Sequence, residues 1–496
     1  MTELAAYPLL STLLALPLLG ALLTAWARRA AWVQWIALGA TGLTLLCSML
    51  VVAAFDRGDT GFQLLDAAPW IAGVSVRYLV GVDGISLLFL PATSLLFCAT
   101  VVASWRIRAD AAPRGVYFAL LLLFEAATLG VFCALDTILF FACWEFTLLP
   151  LYFLVSLWGV GAGRQAAAVH YFLVMLTAGV PLLFGLLALA FGHGDGATPV
   201  FDLPTLLATP LPERKQYLVF LLLLAGFGVK VPLVPVHTWL PSLAMAAPAA
   251  VTSLLVGLKI GAYGLIRVAI PLAPLAAREL HWLLAGFGTV AILYGGVAAL
   301  VHGNLRGVLA YSSLSHVGLV LLGLASFSVS ALQGALLQLL NFSVAAGGGF
   351  LLLSFLQRRT ASTDIARLGG VMHRMPLLAG FFLLFGLAGI GLPGTSGFPG
   401  ELLIVVATLH SHTGAGLAAL FGTVLAAASF LGPFRQAFLG PLRNPDVSAA
   451  DDLLARELVC LSLPALLIVV LRVYPLPLLE FLRPTAEAWV AALAGL

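Results

Sequence analysis

The sequence predicts an all-α polytopic membrane protein with about fourteen transmembrane helices, of which the seventh and the twelfth are discontinuous. Three observations predict this fold: the composition is apolar, long apolar runs recur along the chain, and two runs contain prolines and glycines. Of the 496 residues, 62% are hydrophobic and only 9% are charged, whereas a soluble domain carries about 25% charged residues. Helices follow because lipid offers the backbone no hydrogen-bond partners, and the alternating pattern of a lipid-facing barrel is absent.

The apolar runs define fourteen candidate spans, nearly all long enough for the roughly 20 residues that a bilayer crossing requires. In chain order, spans 1 to 14 cover residues 5–26, 31–55, 82–105, 114–134, 136–158, 165–191, 216–236, 242–270, 281–302, 307–324, 330–356, 375–409, 414–436 and 455–474. The segment 56–80 is predicted to be an external hairpin, and 476–496 an amphipathic tail at the membrane interface. Span 1 is too long for a cleavable signal peptide.

Basic residues predict the orientation of the chain, and the expected location is a bacterial inner (cell) membrane. Fourteen arginines follow odd-numbered spans: Arg28, Arg29, Arg106, Arg108, Arg114, Arg164, Arg306, Arg358, Arg359, Arg367, Arg374, Arg435, Arg443 and Arg456. Eight basic residues lie on the other side: Arg57, Arg77, Arg214, Lys215, Arg267, Arg278, Arg472 and Arg483. Because cytoplasmic loops carry the excess of positive charge, both termini are predicted to lie outside. The net charge of +3 is spread over short loops and does not indicate nucleic-acid binding.

Cofactor motifs are absent, and the lysines are unusually placed. The five cysteines form no CxxC or metal spacing, and no GxGxxG opens a strand–helix unit, so neither an iron–sulfur cluster, another metal nor a dinucleotide is expected in this chain. Only three lysines occur, and two of them, Lys230 and Lys259, lie inside predicted spans. A buried lysine can lose its proton whereas an arginine effectively cannot, which points to proton chemistry.

Ionisable residues recur near the middle of successive spans. The main candidates for a proton relay are Glu145, Lys230, Lys259, His316 and Glu401, and the further candidates are Glu125, Asp136, His170 and His237. Each charge at the bilayer centre costs roughly 2.5–3.5 kcal/mol on insertion scales, so these side chains are expected to face one another or water as an internal row. Plainer roles stay open: a helix start for Asp136, a tie between helices for Glu125, and packing for the histidines.

Spans 7 and 12 contain matching breaks. Pro232 and Pro235 cannot donate backbone hydrogen bonds and interrupt span 7. Span 12 contains G-L-P-G-T-S-G-F-P-G-E over 391–401, and its S-G-F-P-G-E echoes T-W-L-P-S-L over 238–243. Paired broken helices indicate an ion site in a transporter built from repeats. The predicted divisions are 1–113, a first five-helix repeat over 114–270, a second over 281–440, and a C-terminal part over 441–496.

Five motifs carry a family resemblance. They are F-x-x-x-W-E ending at Glu145, G-x-x-x-K-V-P-x-x-P-x-H-T-W-L-P (226–241), V-T-S-L-L (251–255) with K-x-G-A-Y-G (259–264), A-Y-S-S-x-S-H-x-G (310–318) and G-x-P-G-T-S-G-F-x-G-E (391–401). The chain resembles the antiporter-like subunits of respiratory complex I, and most closely the M type (chain 4) of NADH–quinone oxidoreductase. Glu401 favours the M type because the L and N types tend to carry lysine there.

The resemblance implies inverted repeats and proton translocation in a quinone-reducing translocase. It implies no cofactor in this chain, with NADH, FMN, iron–sulfur clusters and quinone in partner subunits, and L-like and N-like neighbours in the membrane. It implies that Glu145 pairs with Lys230, that Lys259 is the central relay, that His316 continues the path and that Glu401 delivers the proton to the far side. Two unit charges about 4 Å apart attract by roughly 4 kcal/mol at an effective dielectric near 20, so the Glu145–Lys230 pair is expected to act as an electrostatic switch.

Three positions depart from the family pattern. His170 stands where the family has lysine, Phe342 stands after Asn341 where it has histidine, and the triplet 304–306 reads Asn-Leu-Arg instead of Asp-Leu-Lys. A divergent paralogue is therefore one interpretation, with Phe342 leaving a gap that water would have to bridge. Two other functions stay open: a subunit of a related multisubunit sodium/proton antiporter or membrane-bound hydrogenase, and a non-pumping scaffold.

Overall fold

Each of the fourteen predicted spans coincides with a helix or a broken series of helices in the computed structural model, which describes residues 7–27, 30–107, 112–193, 199–209, 211–442 and 444–494. The all-α membrane fold is thereby confirmed. Within the described ranges ten helices are individually long and apolar enough to cross a membrane, or eleven with the bent pair at the C-terminus, so the exact count of fourteen is not confirmed. Arg28, Arg29, Arg108 and Arg443, which contributed to the predicted orientation, lie outside the described residues.

The N-terminal part consists of three helices and a β-hairpin. Helices α1 (Leu9–Trp26), α2 (Ala30–Ala54) and α3 (Phe89–Ala103) pack beside α4 (Arg114–Cys133). Strands β1 (Gln63–Ile71) and β2 (Val76–Val82), which lie between α2 and α3 in the chain, pair antiparallel. A β-hairpin is thus observed in the predicted segment, whereas its external position stays a prediction. Ser11 holds it to α1, since its hydroxyl donates to the Asp66 carboxylate at 2.8 Å.

The first half of the bundle is interrupted in span 7. Its helices are α4 (Arg114–Cys133), α5 (Thr137–Phe146), α6 (Leu148–Trp158), α7 (Arg164–Gly192), α8 (Leu203–Ala208), α9 (Glu213–Lys230), α10 (Trp239–Ala246), α11 (Ala249–Gly257), α12 (Ile260–Gly264), α13 (Ile270–Leu272) and α14 (Pro274–Glu279), with a π-helical turn over Leu265–Ala269. Helix α9 ends at Lys230, and α10 begins at Trp239 after the prolines. The break predicted from Pro232 and Pro235 is confirmed.

The second half repeats the interruption in span 12. Its helices are α15 (His281–Val301), α16 (Leu305–Ala325), α17 (Val329–Thr360), α18 (Val371–Arg374), α19 (Pro376–Gly389), α20 (Gly397–Ser411) and α21 (Thr413–Phe434). Helix α19 stops because Gly391 and Gly394 take φ angles of +64° and +101°, a left-handed region that glycine enters without a steric penalty. The second predicted break is thus confirmed, whereas the domain boundaries themselves stay a prediction.

The C-terminal segment lies across one end of the bundle. After α22 (Pro445–Ser448), helices α23 (Ala455–Val473) and α24 (Leu476–Ala494) meet at an angle of 78°. Gln333 near the start of α17 donates to the Leu479 carbonyl at 2.7 Å, and the Trp489 indole donates to the Ile266 carbonyl at 3.0 Å. Because these partners lie at the end where α16 ends and α17 begins, α24 covers the end of the bundle that the charge bias assigns to the outside.

Candidate proton pathway

Lys230 ends α9 and points toward the junction of α5 and α6. Its ammonium donates to the Thr147 hydroxyl at 2.8 Å and approaches the Trp144 carbonyl at 3.4 Å. The same nitrogen lies 4.1 Å from the centre of the Trp144 ring, a distance at which the aromatic face attracts a cation. Lys230 therefore has neutral polar and aromatic partners at the point where its helix breaks.

Glu145 is not the direct partner of Lys230 that the sequence analysis expected. Although both residues are described, no ion pair within 4.0 Å joins them. The reason is the helical period: Trp144 and Thr147 are three residues apart and share a face of the chain, whereas Glu145 is turned by about 100° away from Trp144. The Glu145 carboxylate lies half-buried against α7, where it would collide with any side chain at Gly179.

Lys259 lies at a third break that the sequence analysis did not predict. Helix α11 ends at Gly257, α12 begins at Ile260, and Lys259 between them has φ +45° and ψ +31°. An L-residue in this left-handed conformation is strained, and strain of this kind is concentrated at functional sites. The Lys259 ammonium donates to the Ser313 hydroxyl on α16.

A cavity connects the two lysines. It has a volume of about 40 Å³, and its lining includes Thr147, Lys230, Lys259 and Gly261. A water molecule needs roughly 10–15 Å³ measured in this way and two or more polar partners, and the cavity offers both. Gly261 keeps the two breaks close together, because the backbone nitrogen of Val231 lies only 2.7 Å from the position that a side chain at Gly261 would occupy.

His316 and Glu401 form the second cluster. The Nε2 atom of His316 lies 3.8 Å from the Glu401 carboxylate, which also accepts a hydrogen bond of 3.1 Å from the Gln338 amide. The Nδ1 atom of His316 is 2.6 Å from the Ser312 carbonyl. Because a carbonyl only accepts, Nδ1 carries the proton in the neutral ring and Nε2 presents its lone pair toward Glu401. Both side chains are buried and face each other inside the bundle.

Phe342 separates the two clusters. The centre of its ring is 4.8 Å from the Lys259 ammonium and 4.4 Å from the centre of the His316 ring. Its neighbour Asn341 fixes the span 12 break by donating to the Ala388 carbonyl at 3.2 Å and accepting from the Ser396 hydroxyl. Phe342, which stands where the family pattern has histidine, thus lies between the cluster of Lys230 and Lys259 and the cluster of His316 and Glu401.

Two of the further candidates lie away from this row. Asp136 caps α5, since its carboxylate accepts hydrogen bonds from the backbone of Ile138 at 2.9 Å and Leu139 at 3.1 Å. Its position at the first turn satisfies helix donors, so the structure places it at a helix start and not in the internal row. His170 is exposed on the surface of α7, because it lies on the face that the bundle does not cover, and it does not join the row either.

The other two further candidates are buried but separate from the chain of contacts. Glu125 on α4 has no exposed surface, and neither of its carboxylate oxygens has a hydrogen-bond partner in the described part of the molecule. His237 lies in the span 7 break, with its ring centre 4.8 Å from that of Tyr294 on α15. Neither the Glu125 carboxylate nor the His237 imidazole contacts a lysine directly.

Two of the arginines that were counted toward the orientation of the chain are buried. Arg267 and Asp83 form an ion pair of 2.8 Å with both side chains 7% exposed. Arg306 is 1% exposed and donates to Thr252 at 3.2 Å and to the Ala247 carbonyl. The burial of Arg267 and Asp83 could have been predicted, because both residues fall inside predicted spans. The burial of Arg306 could not, because Arg306 lies just before its predicted span and is buried only because α16 already begins at Leu305.

Known proteins resemble this chain over most of its length. The family described as "NADH:quinone oxidoreductase/Mrp antiporter, TM" matches residues 134–426. The NADH-quinone oxidoreductase subunit M of Rhodobacter capsulatus is 34% identical, with 91% of this chain and 89% of that protein covered. The subunit M of Pseudomonas aeruginosa is also 34% identical, with 92% and 93% covered.

Solved structures share the fold. A chain of the respiratory complex I from Thermus thermophilus with bound NADH is 30% identical, has a TM-score of 0.89, and is matched over 98% of this chain and 100% of its own length. A chain of the Mrp complex from a Dietzia species gives a TM-score of 0.84 at 24% identity, with 99% and 100% covered. At 24% identity, the similarity to the Mrp complex shows a shared fold only.

Proposed function

Because the chain belongs to the NADH:quinone oxidoreductase/Mrp antiporter transmembrane family, we propose that it is a proton-translocating membrane-arm subunit of an NADH–quinone oxidoreductase. The observation that carries this proposal is the cavity between Lys230 and Lys259, because it puts two titratable amines and room for water at two helix breaks. Ionisable groups at membrane depth mark ion pathways by default.

The proton follows the contacts in order. Lys230 passes it through the cavity to Lys259, whose bond to Ser313 leads toward α16. From there it has to pass Phe342 to reach the lone pair of His316, and Glu401 accepts it 3.8 Å further on. Polar side chains thus line every step except the one at Phe342, where a water molecule would have to enter.

Glu145 acts as a movable counter-charge in this proposal. In the observed arrangement it is apart from Lys230, which favours release of the proton from the amine. Contact between the two would stabilise the ammonium form by roughly 4 kcal/mol at about 4 Å and an effective dielectric near 20. Movement of Glu145 between α7 and Lys230 would therefore load and unload the path.

The driving reaction belongs to partner subunits. NADH, FMN, iron–sulfur clusters and quinone would bind there, and L-like and N-like neighbours would flank this chain in a bacterial inner membrane with both termini outside. The chain is then part of a translocase without performing redox chemistry itself. Purification from native membranes in mild detergent, followed by mass spectrometry of the partners, tests this assignment.

The substitution Lys230→Ala tests the pathway. We expect an assembled complex that still reduces quinone but pumps fewer protons per electron, because the first amine of the path is missing. Lys215→Ala is the matched control, since Lys215 is exposed at the start of α9. An unchanged proton-to-electron ratio in Lys230→Ala would exclude this pathway.

Two other functions use the same fold. The first is a subunit of a related multisubunit sodium/proton antiporter or membrane-bound hydrogenase; the family description, which includes the Mrp antiporter, supports the antiporter. Sodium-dependent transport without quinone reduction would support it further. A non-pumping scaffold is favoured by the ring of Phe342 between Lys259 and His316. A chain with only this scaffold role would pump no protons even when assembled with active partners.

A further inference from the structure

Five polar side chains form a continuous line at the end of α20. The Thr408 hydroxyl is 3.4 Å from that of Ser326, the Ser411 hydroxyl donates to Ser326 at 3.0 Å, and it lies 3.0 Å from Nδ1 of His412. The Nε2 atom of His412 is 2.6 Å from Nδ1 of His281. The line thus joins α20 to the last residue before α21 and to the first residue of α15.

Exposure along this line is highest at Ser411. Thr408 is fully buried, Ser326 is half-buried, Ser411 is exposed, and His412 and His281 are half-buried. The line therefore runs from the interior of the bundle to the end that the charge bias assigns to the outside.

Thr408, the buried end of the line, lies on α20 C-terminal to Glu401. Thr408 follows Glu401 by seven positions, which corresponds to about two turns and a rise of about 10 Å. Both residues are buried, and so is Ile404 between them. Helix α20 therefore presents one buried face that leads from the carboxylate to the first hydroxyl of the line, with Ile404 as an apolar step.

We propose that this line, which we name the outer relay (Thr408, Ser326, Ser411, His412 and His281), releases the proton that Glu401 accepts. The inference rests on the proposed function, because it needs a proton to arrive at Glu401. Nitrogen atoms 2.6 Å apart share one proton, since one ring donates and the other accepts. A proton that enters one nitrogen of an imidazole is balanced by one that leaves the other, so the pair ends each transfer with its starting charge.

The test replaces His412 in the assembled complex in two ways. His412→Gln keeps a side chain that hydrogen-bonds but cannot carry a proton, whereas His412→Glu changes the shape and restores a titratable group. We expect His412→Gln to decrease proton pumping by as much as Glu401→Gln does. His412→Glu should decrease it measurably less. If His412 only held α20 and α21 together, His412→Gln would pump more protons than His412→Glu.

The control is His410→Gln, because His410 is exposed two residues earlier on α20 and takes no part in the line. It is expected to pump normally. Normal pumping by His412→Gln beside impaired Glu401→Gln would overturn the outer relay and leave the proposed function standing. Normal pumping by Glu401→Gln as well would overturn both. If substitution of His412 prevents assembly, His281→Gln is measured against the same control with the same expectations.

Discussion

The breaks in spans 7 and 12 have the same form but carry opposite charges. In span 7 the charged residue is Lys230, the last residue of α9, whereas in span 12 it is Glu401, in the second turn of α20. A helix C-terminus favours a cation and an N-terminus an anion, typically by 0.3–1 kcal/mol. The dipole of α9 therefore suits the charge of Lys230, whereas Glu401 lies beyond the first turn of α20, where this effect has fallen off.

The two sites also differ in how tightly they hold their charge. Glu401 has the Gln338 amide at 3.1 Å and His316 at 3.8 Å, whereas Lys230 has a hydroxyl, a carbonyl and an aromatic ring and is outside ion-pair distance of Glu145. In the proposed pathway, we therefore expect Lys230 in span 7 to change its partners during turnover, and Glu401 in span 12 to act as a fixed acceptor.

The largest effect is expected from Gly391→Ala, which attacks the span 12 break. Alanine at φ +64° is strained, and its methyl group would collide with the Glu401 carboxylate, so we expect a loss of about 2–5 kcal/mol of stability together with impaired pumping. Thermal denaturation of the purified complex measures the first effect. Gly389→Ala is the control, because a methyl group there meets open space; equal effects of the two substitutions would contradict this account of the break.

A smaller effect is expected from Thr147→Val, which removes the hydroxyl partner of Lys230. A hydrogen bond to a charged group contributes about 1.5–3 kcal/mol, so the ammonium form of Lys230 loses roughly this amount of stabilisation. We expect slower proton pumping, measured in vesicles, with quinone reduction retained. Thr147→Ser keeps the hydroxyl and should pump normally; a loss of pumping as large as that in Thr147→Val would rule out this role for the hydroxyl.

Phe342→His connects the two sides directly. A titratable ring between Lys259 and His316 would replace the step that water has to bridge, so we expect an increased rate of proton transfer with an unchanged fold. Phe342→Leu is the control because it keeps the gap apolar. Equal rates in the two variants, measured in the same vesicles, would show that Phe342 does not limit the path.

The smallest effect is expected from His170→Gln. Since His170 is exposed on α7 and outside the row, pumping and thermal stability should both match those of the unsubstituted complex. A clear loss of pumping would show that the path extends to the surface of α7 and that the comparison between two internal breaks is incomplete.

Local chemistry explains which features the sequence revealed. Pro232, Pro235 and the glycines of 391–397 interrupt helices by themselves, so both of these breaks could be predicted. The break at Lys259 could not, because K-I-G-A-Y-G contains no proline and the kink depends on how closely Gly261 approaches α9. The position of Glu145 was missed for a related reason: residue spacing gives the face of a helix, but not which neighbour packs against that face.

Long-range contacts explain what else was missed. The outer relay joins residues up to 131 positions apart, and its serines, threonine and histidines are ordinary residues for the ends of membrane helices. The ion pair between Asp83 and Arg267 joins residues 184 positions apart. Such pairings depend on the packing of whole helices, which a single sequence does not specify.

The most direct test of the pathway is the proton-to-electron ratio of the assembled complex carrying Lys259→Met. Methionine preserves the length of the side chain and the strained backbone while removing the titratable amine at the centre of the row. We predict a lower ratio than in the Lys215→Met control, with quinone reduction retained in both. An equal ratio in the two variants would contradict the claim that protons cross the membrane through Lys259.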